Sequence, residues 1–509
     1  MSRTANRIIK NTGFLYAKMG ITVFISLYTT RLILNALGAS DFGIFNLVGG
    51  AIGMLGFLNA SMAGATQRYM SFYYGAGDVD MCKQIFDISI ILHFVISVCV
   101  LIMLIIAGFF FFNGILNIPD ERIEAAVVVY GCFVVSTAIT VMSVPFDAAI
   151  NAHENMGYYA VIGILESILK LTIAYIVVYC LYDKLIVYGV LMACVPLVSM
   201  SVLCMFCYRH YEECSIISKK IWNKSLALEI GKYAGWNFLS TASTMINNYG
   251  ISIVVNAFYG VALNTAIGIA KQIDGQMMVF SQNMIKAVSP VITKCAGAKS
   301  EKKMIEYTYS SCKFSFFIFS FFCIPFILET PFVLRMWLKT VPNWAILFCQ
   351  LQLITTLLSQ LGATLNTALV AKGRICNYSI FTSVIYMSSI LFSFLFLMFG
   401  LPPWSIFISI MSLNVFFYKL MVLIILKKRG DVVIIDYLVK VIFPCVLISI
   451  LSIVISSIPL FVMQDGLIRF LTVCGLNSII LIFFLVIFGL NSLEKSILFQ
   501  TINKYRNRF

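Results

Sequence analysis

Runs of about 20 apolar residues, each closed by a short polar turn, follow one another along the chain, and that is the length an α-helix needs to cross a bilayer core. They predict fourteen spans, at 12–36, 42–64, 86–110, 124–146, 157–181, 185–207, 230–258, 262–288, 307–330, 344–368, 378–399, 404–426, 437–461 and 467–490. Residues 375–418 carry no charge, but Leu401-Pro402-Pro403-Trp404 divides them, because proline breaks the hydrogen-bond ladder and tryptophan favours an interface. If the last two spans form one re-entrant element, the count falls to thirteen or twelve.

Composition narrows the class. Of 509 residues 61% are hydrophobic and 11% charged, with a mean hydropathy of +0.95. A soluble protein carries roughly 25% charged residues. The balance excludes a soluble enzyme, a disordered chain and a disulfide scaffold, and the fold class is an all-α polytopic membrane protein. The basic start, Met1–Gly13, leads into an apolar run longer than a signal peptide's core, so the first span is expected to stay in the mature protein.

The 36 Lys and Arg against 22 Asp and Glu leave a formal charge of +14. Their placement reads as a topology signal, not as a nucleic-acid surface. Basic residues gather in alternate loops: Lys219, Lys220 and Lys224; Lys294, Lys299, Lys302 and Lys303; Lys427, Lys428 and Arg429; Lys495, Lys504, Arg506 and Arg508. The opposite loops hold only Arg122, Lys184, Arg335, Lys339 and Arg469. Both termini are therefore expected in the cytoplasm.

A shift of 222 residues places Gly13 on Gly235, Gly38 on Gly260, Met62 on Met284 and Gly75 on Gly297. The reading is a parallel repeat, a device of transporters. It gives an amino-terminal six-helix lobe at 1–207, an inter-lobe loop at 208–229, a second six-helix lobe at 230–426, and two additional helices with a basic tail at 427–509.

Ionisable side chains deep in a membrane normally face a wet cavity or a partner. Glu166 and Lys170 stand at i and i+4, and Lys271 and Asp274 at i and i+3, each pair on one helix face. Lys18 and Arg31 flank the middle of the first span. A cationic cavity formed by Lys18, Arg31, Lys170 and Lys271 is the functional reading; structural ion pairs, or long stems reaching an interface, are the alternatives. The interface reading applies most to Lys286 and Lys419. Asn237, Thr241, Thr244, Asn248 and Ser252 recur at spacings of four and three, one polar stripe that either lines a cavity or joins helices.

Signs of catalysis are missing. There is no Gly-x-x-x-x-Gly-Lys loop, and His93, His153 and His210 have no carboxylate or nucleophile at an informative spacing. Asp41, Asp120 and Glu121 are too sparse for a glycosyltransferase site. The 15 cysteines lie in apolar runs, and Cys204, Cys207 and His210 fall short of a zinc site, so no metal is assigned. No enzyme and no cofactor is expected, beyond a coupling proton or sodium ion held at Asp274 or Glu166.

The run RLILNALGASDFGIFNLVGG from Arg31 to Gly50, followed by GFLNASMAGATQRYMSFYYGAGD at 56–78, resembles the O-antigen and capsule flippases of the multidrug/oligosaccharidyl-lipid/polysaccharide (MOP) superfamily. The resemblance is specific over the first two spans and holds elsewhere only in span count and repeat. It implies two six-helix bundles in a V that open alternately, and an undecaprenyl-pyrophosphate-linked oligosaccharide as substrate. It also implies the inner membrane of a bacterium, membrane lipids as surroundings, and a polysaccharide polymerase and glycosyltransferases as neighbours. Arg31 and Arg68 lie inside the recognisable stretch, Arg68 as a candidate cytoplasmic gate. Drug-exporting relatives typically keep an acidic cation site in the first lobe, where this chain has Asp41, Asp147 and a Glu166 expected to be neutralised by Lys170. A cation-coupled multidrug exporter and a non-transporting scaffold for polysaccharide assembly remain as alternatives.

Overall fold

The computed structural model describes residues 2–53, 56–112, 118–215, 223–338, 341–373, 375–428, 432–490 and 494–495. Lys219, Lys220, Lys339, Arg429, Lys504, Arg506 and Arg508, and residues 216–222 of the expected inter-lobe loop, lie outside them. Every regular element among the described residues is helical.

The first half runs through α1 (Ser2–Gly53), α2 (Gly56–Ala76), α3 (Val79–Phe110), α4 (Ile123–Ala152), α5 (Met156–Tyr179) and α6 (Lys184–His210). The second runs through α7 (Lys224–Gly297), α8 (Glu301–Trp337), α9 (Ala345–Gln360), α10 (Leu365–Ala371), α11 (Cys376–Met398) and α12 (Ser405–Lys428). Two further helices follow, α13 (Ile434–Val462) and α14 (Leu467–Gly489).

The 222-residue repeat is written into the backbone. Val79 and Glu301 each open a helix at that interval, and so do Ile123 and Ala345. The N-cap residues ahead of α3 and α8 match, Asp78 at φ −95° and Ser300 at φ −93°. Each follows a left-handed residue, Gly77 at φ 78° and Lys299 at φ 52°. The long helices α1 and α7 are both broken by a glycine, Gly38 and Gly260, in a conformation open to little else.

Ten helices are long and apolar enough to cross a membrane among the described residues, or eleven if α9 and α10 count as one bent span. These match eleven of the fourteen expected spans. The other three, 42–64, 230–258 and 262–288, fall in the second part of α1 with α2 and in both parts of α7. The described parts of 42–64 are divided between two helices, and 230–258 and 262–288 are made polar by Asn237, Asn248, Lys271 and Asp274.

The chain packs as two compact units, residues 11–241 and residues 242–509 with 1–10. These limits differ from the lobes drawn at 1–207 and 230–426. The first turns of α7 belong to the first unit, where Tyr69 Oη donates to Glu229 Oε1 at 3.0 Å and Asn237 Nδ2 donates to the Ser61 carbonyl at 2.8 Å. In that unit α4 is the central helix, packed on α2, α3 and α6 around Val48, Leu104, Ala126 and Val129. In the second unit α8 packs on α9, α13 and α14, so residues 432–490 share its core.

Candidate functional site

In the first unit α1, α4, α5 and α6 border a cavity of about 360 Å³ whose charged lining is Lys18, Asp147, Glu166 and Lys170. Lys18 Nζ lies 4.3 Å from the centre of the Tyr159 ring, close enough for a cation–π contact. Gly163 makes this possible, since a methyl group there would overlap Lys18 Cε. Ser136, Thr140, Ser143 and Asp147 present one face of α4 to the cavity, their spacing of four, three and four repeating that of the α7 stripe. That spacing is legible in the sequence.

Glu166 and Lys170, expected as an ion pair, both reach this cavity but no ion pair joins them. Lys170 is exposed and Glu166 half-buried, and an exposed i, i+4 pair gains too little to hold two flexible side chains together. Glu166 is therefore not neutralised by contact with Lys170.

The second unit encloses a cavity of about 560 Å³ between α7, α9, α11 and α12. Lys271 Nζ donates to the Asn248 carbonyl at 2.8 Å and to Ser252 Oγ at 3.3 Å. Asp274 Oδ2 accepts from Gln352 Nε2 at 2.9 Å. Lys271 and Asp274 thus share a cavity and not a bond, because each has a nearer partner on another segment. Asn247 Nδ2 donates to the Tyr386 carbonyl at 2.7 Å, and Asn414 Nδ2 to Asn247 Oδ1 at 3.1 Å, which fixes the amides of the lining. Asn247, Gln352, Tyr386 and Asn414 come from four separate helices, so no spacing along the chain marks them as one wall.

The polar stripe of α7 divides in two. Thr244, Asn248 and Ser252 line the second cavity. Asn237 instead grips the Ser61 carbonyl opposite Gly64, and Thr241 Oγ1 bonds back to the Asn237 carbonyl at 2.9 Å; neither lines either cavity. Arg31 is exposed on α1 and also lines neither. Arg68 is 9% exposed, its guanidinium 4.5 Å from the Tyr69 ring centre, 4.7 Å from that of Phe72 and 5.6 Å from that of Tyr233. Lys419 does not reach an interface: its Nζ donates to the Leu358 and Ser359 carbonyls, both at 2.5 Å.

Among the ion pairs of the described residues are four that join positions too far apart in sequence for spacing to mark them. Arg122 joins Asp41 and Asp183, 81 and 61 residues away. Burial opposes ionisation of Asp183, but Arg122 and the amides of Leu185 and Ile186 outweigh it and hold the carboxyl below its usual range. His153, which has no carboxylate at an informative spacing, has Glu213, 60 residues away, with Oε1 2.5 Å from Nε2, and stacks on Tyr211. Glu213 is buried, yet the His153 hydrogen bond overrides the burial and keeps its carboxyl low. Arg469 grips the fully buried Glu329 through two bonds of 2.6 and 2.8 Å, and Lys313 pairs with Glu494 at 2.7 Å. No group of three His, Cys, Asp or Glu side chains is placed to hold a metal among the described residues.

No family model and no curated protein matches the sequence. Solved structures match the fold. A MATE protein crystallised as a point mutant superposes with a TM-score of 0.73 at 15% identity, over 84% of this chain and 96% of its own. A MOP superfamily transporter from Pyrococcus furiosus, described as having a binding pocket of reversed polarity, gives 0.69 at 16%, over 84% and 96%. An outward-facing multidrug resistance MATE family transporter gives 0.69 at 16%, over 83% and 95%. The chain has the fold of these transporters.

Proposed function

We propose that this chain is a membrane transporter that flips undecaprenyl-pyrophosphate-linked oligosaccharide from the inner to the outer leaflet by alternating access, coupled to an ion gradient. The observation that carries this reading is a lysine in the polar cavity of each unit that no carboxylate pairs with among the described residues. Lys18 sits over Tyr159, and Lys271 is held by a carbonyl and a hydroxyl. A fixed cation in a low-dielectric pocket favours a phosphate-bearing substrate, whose charge is costly to leave unpaired there. The shared fold supports transport. The stretches 31–50 and 56–78 support the lipid-linked glycan. The basic loops support a bacterial inner-membrane setting with both termini cytoplasmic, where glycosyltransferases and a polymerase are the partners to seek.

One observation favours a second reading. Asp147 and Glu166 border the first cavity beside Lys18, and Lys170 does not neutralise Glu166. Acidic groups so placed suit a cation-coupled exporter of drugs.

Reconstitution in proteoliposomes tests both. Fluorescent lipid-linked oligosaccharide and a cationic dye are offered separately, with and without an imposed proton or sodium gradient. Gradient-dependent movement of the glycan lipid supports the flippase. Movement of the dye alone replaces it with the exporter, and movement of neither favours a scaffold.

A further inference from the structure

The span formed by α9 and α10 is broken at residues 361–364 and bends there by 45°. A helix end leaves up to four carbonyls without partners and carries roughly half a negative charge. Here the α9 end meets a lysine. Lys419 Nζ, from α12, donates to the Leu358 and Ser359 carbonyls at 2.5 Å each, and Tyr437 Oη, from α13, donates to the Leu361 carbonyl at 2.6 Å. Gly362 gives the lysine stem its path, since a Cβ there would lie 3.1 Å from both Lys419 Cδ and Cε. No carboxylate pairs with Lys419 among the described residues.

The repeat supplies a control. The helix that corresponds to α9 and α10 is α4, which runs unbroken from Ile123 to Ala152. The position on α6 that corresponds to Lys419 is Leu197, which is apolar. The lysine is present in the half whose helix is broken and missing from the half whose helix is continuous. Carbonyls at the end of a broken transmembrane helix are the groups that hold a monovalent cation in other discontinuous spans.

We propose that the break between α9 and α10 is a monovalent-cation site whose resident cation is the Lys419 ammonium, and that truncating this side chain opens the site to a free primary ammonium ion. A tethered occupant keeps the break in one geometry whatever the ionic conditions, so gradient coupling resides elsewhere in the chain. The claim does not depend on the substrate.

The test uses the purified full chain in detergent, followed by thermal unfolding. Lys419→Met keeps most of the apolar stem and loses the charge, and it should lower Tm by about 5 °C. Lys419→Ala should lose at least as much and recover most of it in propylammonium chloride, with no recovery in tetramethylammonium chloride, which has no N–H to donate. Wild-type protein should respond to neither salt. If Lys419→Ala does not fold alone, purification with propylammonium should restore a monodisperse species. A Lys419→Met variant as stable as wild type overturns the proposal, and so does a Lys419→Ala variant that propylammonium helps no more than tetramethylammonium.

Discussion

Gly38 and Gly260, 222 positions apart, break α1 and α7 with nearly the same backbone angles, φ 77° and ψ 172° against φ 71° and ψ −168°. A Cβ at either would meet nothing within 4 Å, so packing does not demand glycine there. The backbone does, because this region is essentially closed to other residues.

Gly38→Ala and Gly260→Ala should therefore each cost about 1–3 kcal/mol through strain alone. Gly235→Ala is the control, since Gly235 also has open space but an ordinary helical φ, and it should hold or raise Tm. Equal melting temperatures for all three variants would show that glycine does not hold the kinks.

Gly163 and Lys18 should behave as a unit. Gly163→Ala displaces Lys18 from the Tyr159 ring, so under the proposed flippase role it should lower transport about as much as Lys18→Met does. In the double variant the losses should not add, and transport normalised to folded protein measures the shortfall. Fully additive losses would separate Gly163 from Lys18.

Lys271 is held by two acceptors and not by Asp274. Loss of its charge-assisted bonds, worth about 1.5–3 kcal/mol, should reduce transport in Lys271→Gln roughly 10- to 100-fold. Lys271→Arg should not restore it, because a planar guanidinium does not reproduce the ammonium's fit between Asn248 and Ser252. Wild-type rates in Lys271→Gln would remove this cation from the substrate path.

The Glu213 carboxyl is held below its ordinary value of 4.5 in the folded chain. A depressed folded value means that the unfolded chain binds the proton first, so the contact stabilises above pH 4.5 and that stability fades as pH falls through the folded value. Thermal unfolding from pH 7 to pH 3 should be steeper in acid for wild type than for Glu213→Gln. Parallel curves would remove Glu213 from the acid response.

Glu329 is fully buried, and Arg469 supplies both of its bonds from α14. Arg469→Met should cost about 3–5 kcal/mol by stranding the carboxylate, and adding Glu329→Gln should recover part of that loss. Differential scanning calorimetry of wild type and the two variants reads both effects. A double variant no more stable than Arg469→Met would mean that the guanidinium acts by packing.

The features legible along the chain are those that depend on local composition and period. Apolar run length predicted the helices, including the bent 344–368 and the two helices after residue 427, because the cost of burying backbone in lipid sets span length without reference to neighbours. The shift that paired Gly38 with Gly260 marked both kinks, since a backbone conformation that demands glycine leaves its trace in one residue. The i, i+4 stripe from Thr244 to Ser252 likewise marked a cavity wall. Tertiary structure alone decided what each charge touches. Glu166 with Lys170 and Lys271 with Asp274 share helix faces, yet the nearer partners of Lys271 and Asp274 are Asn248 and Gln352, brought up by folding. Arg122 with Asp41, His153 with Glu213 and Lys419 with the broken end of α9 span 60 or more residues of sequence. A hydrogen bond is satisfied by whatever acceptor packing carries within 3 Å, and sequence spacing measures that distance only along a single helix.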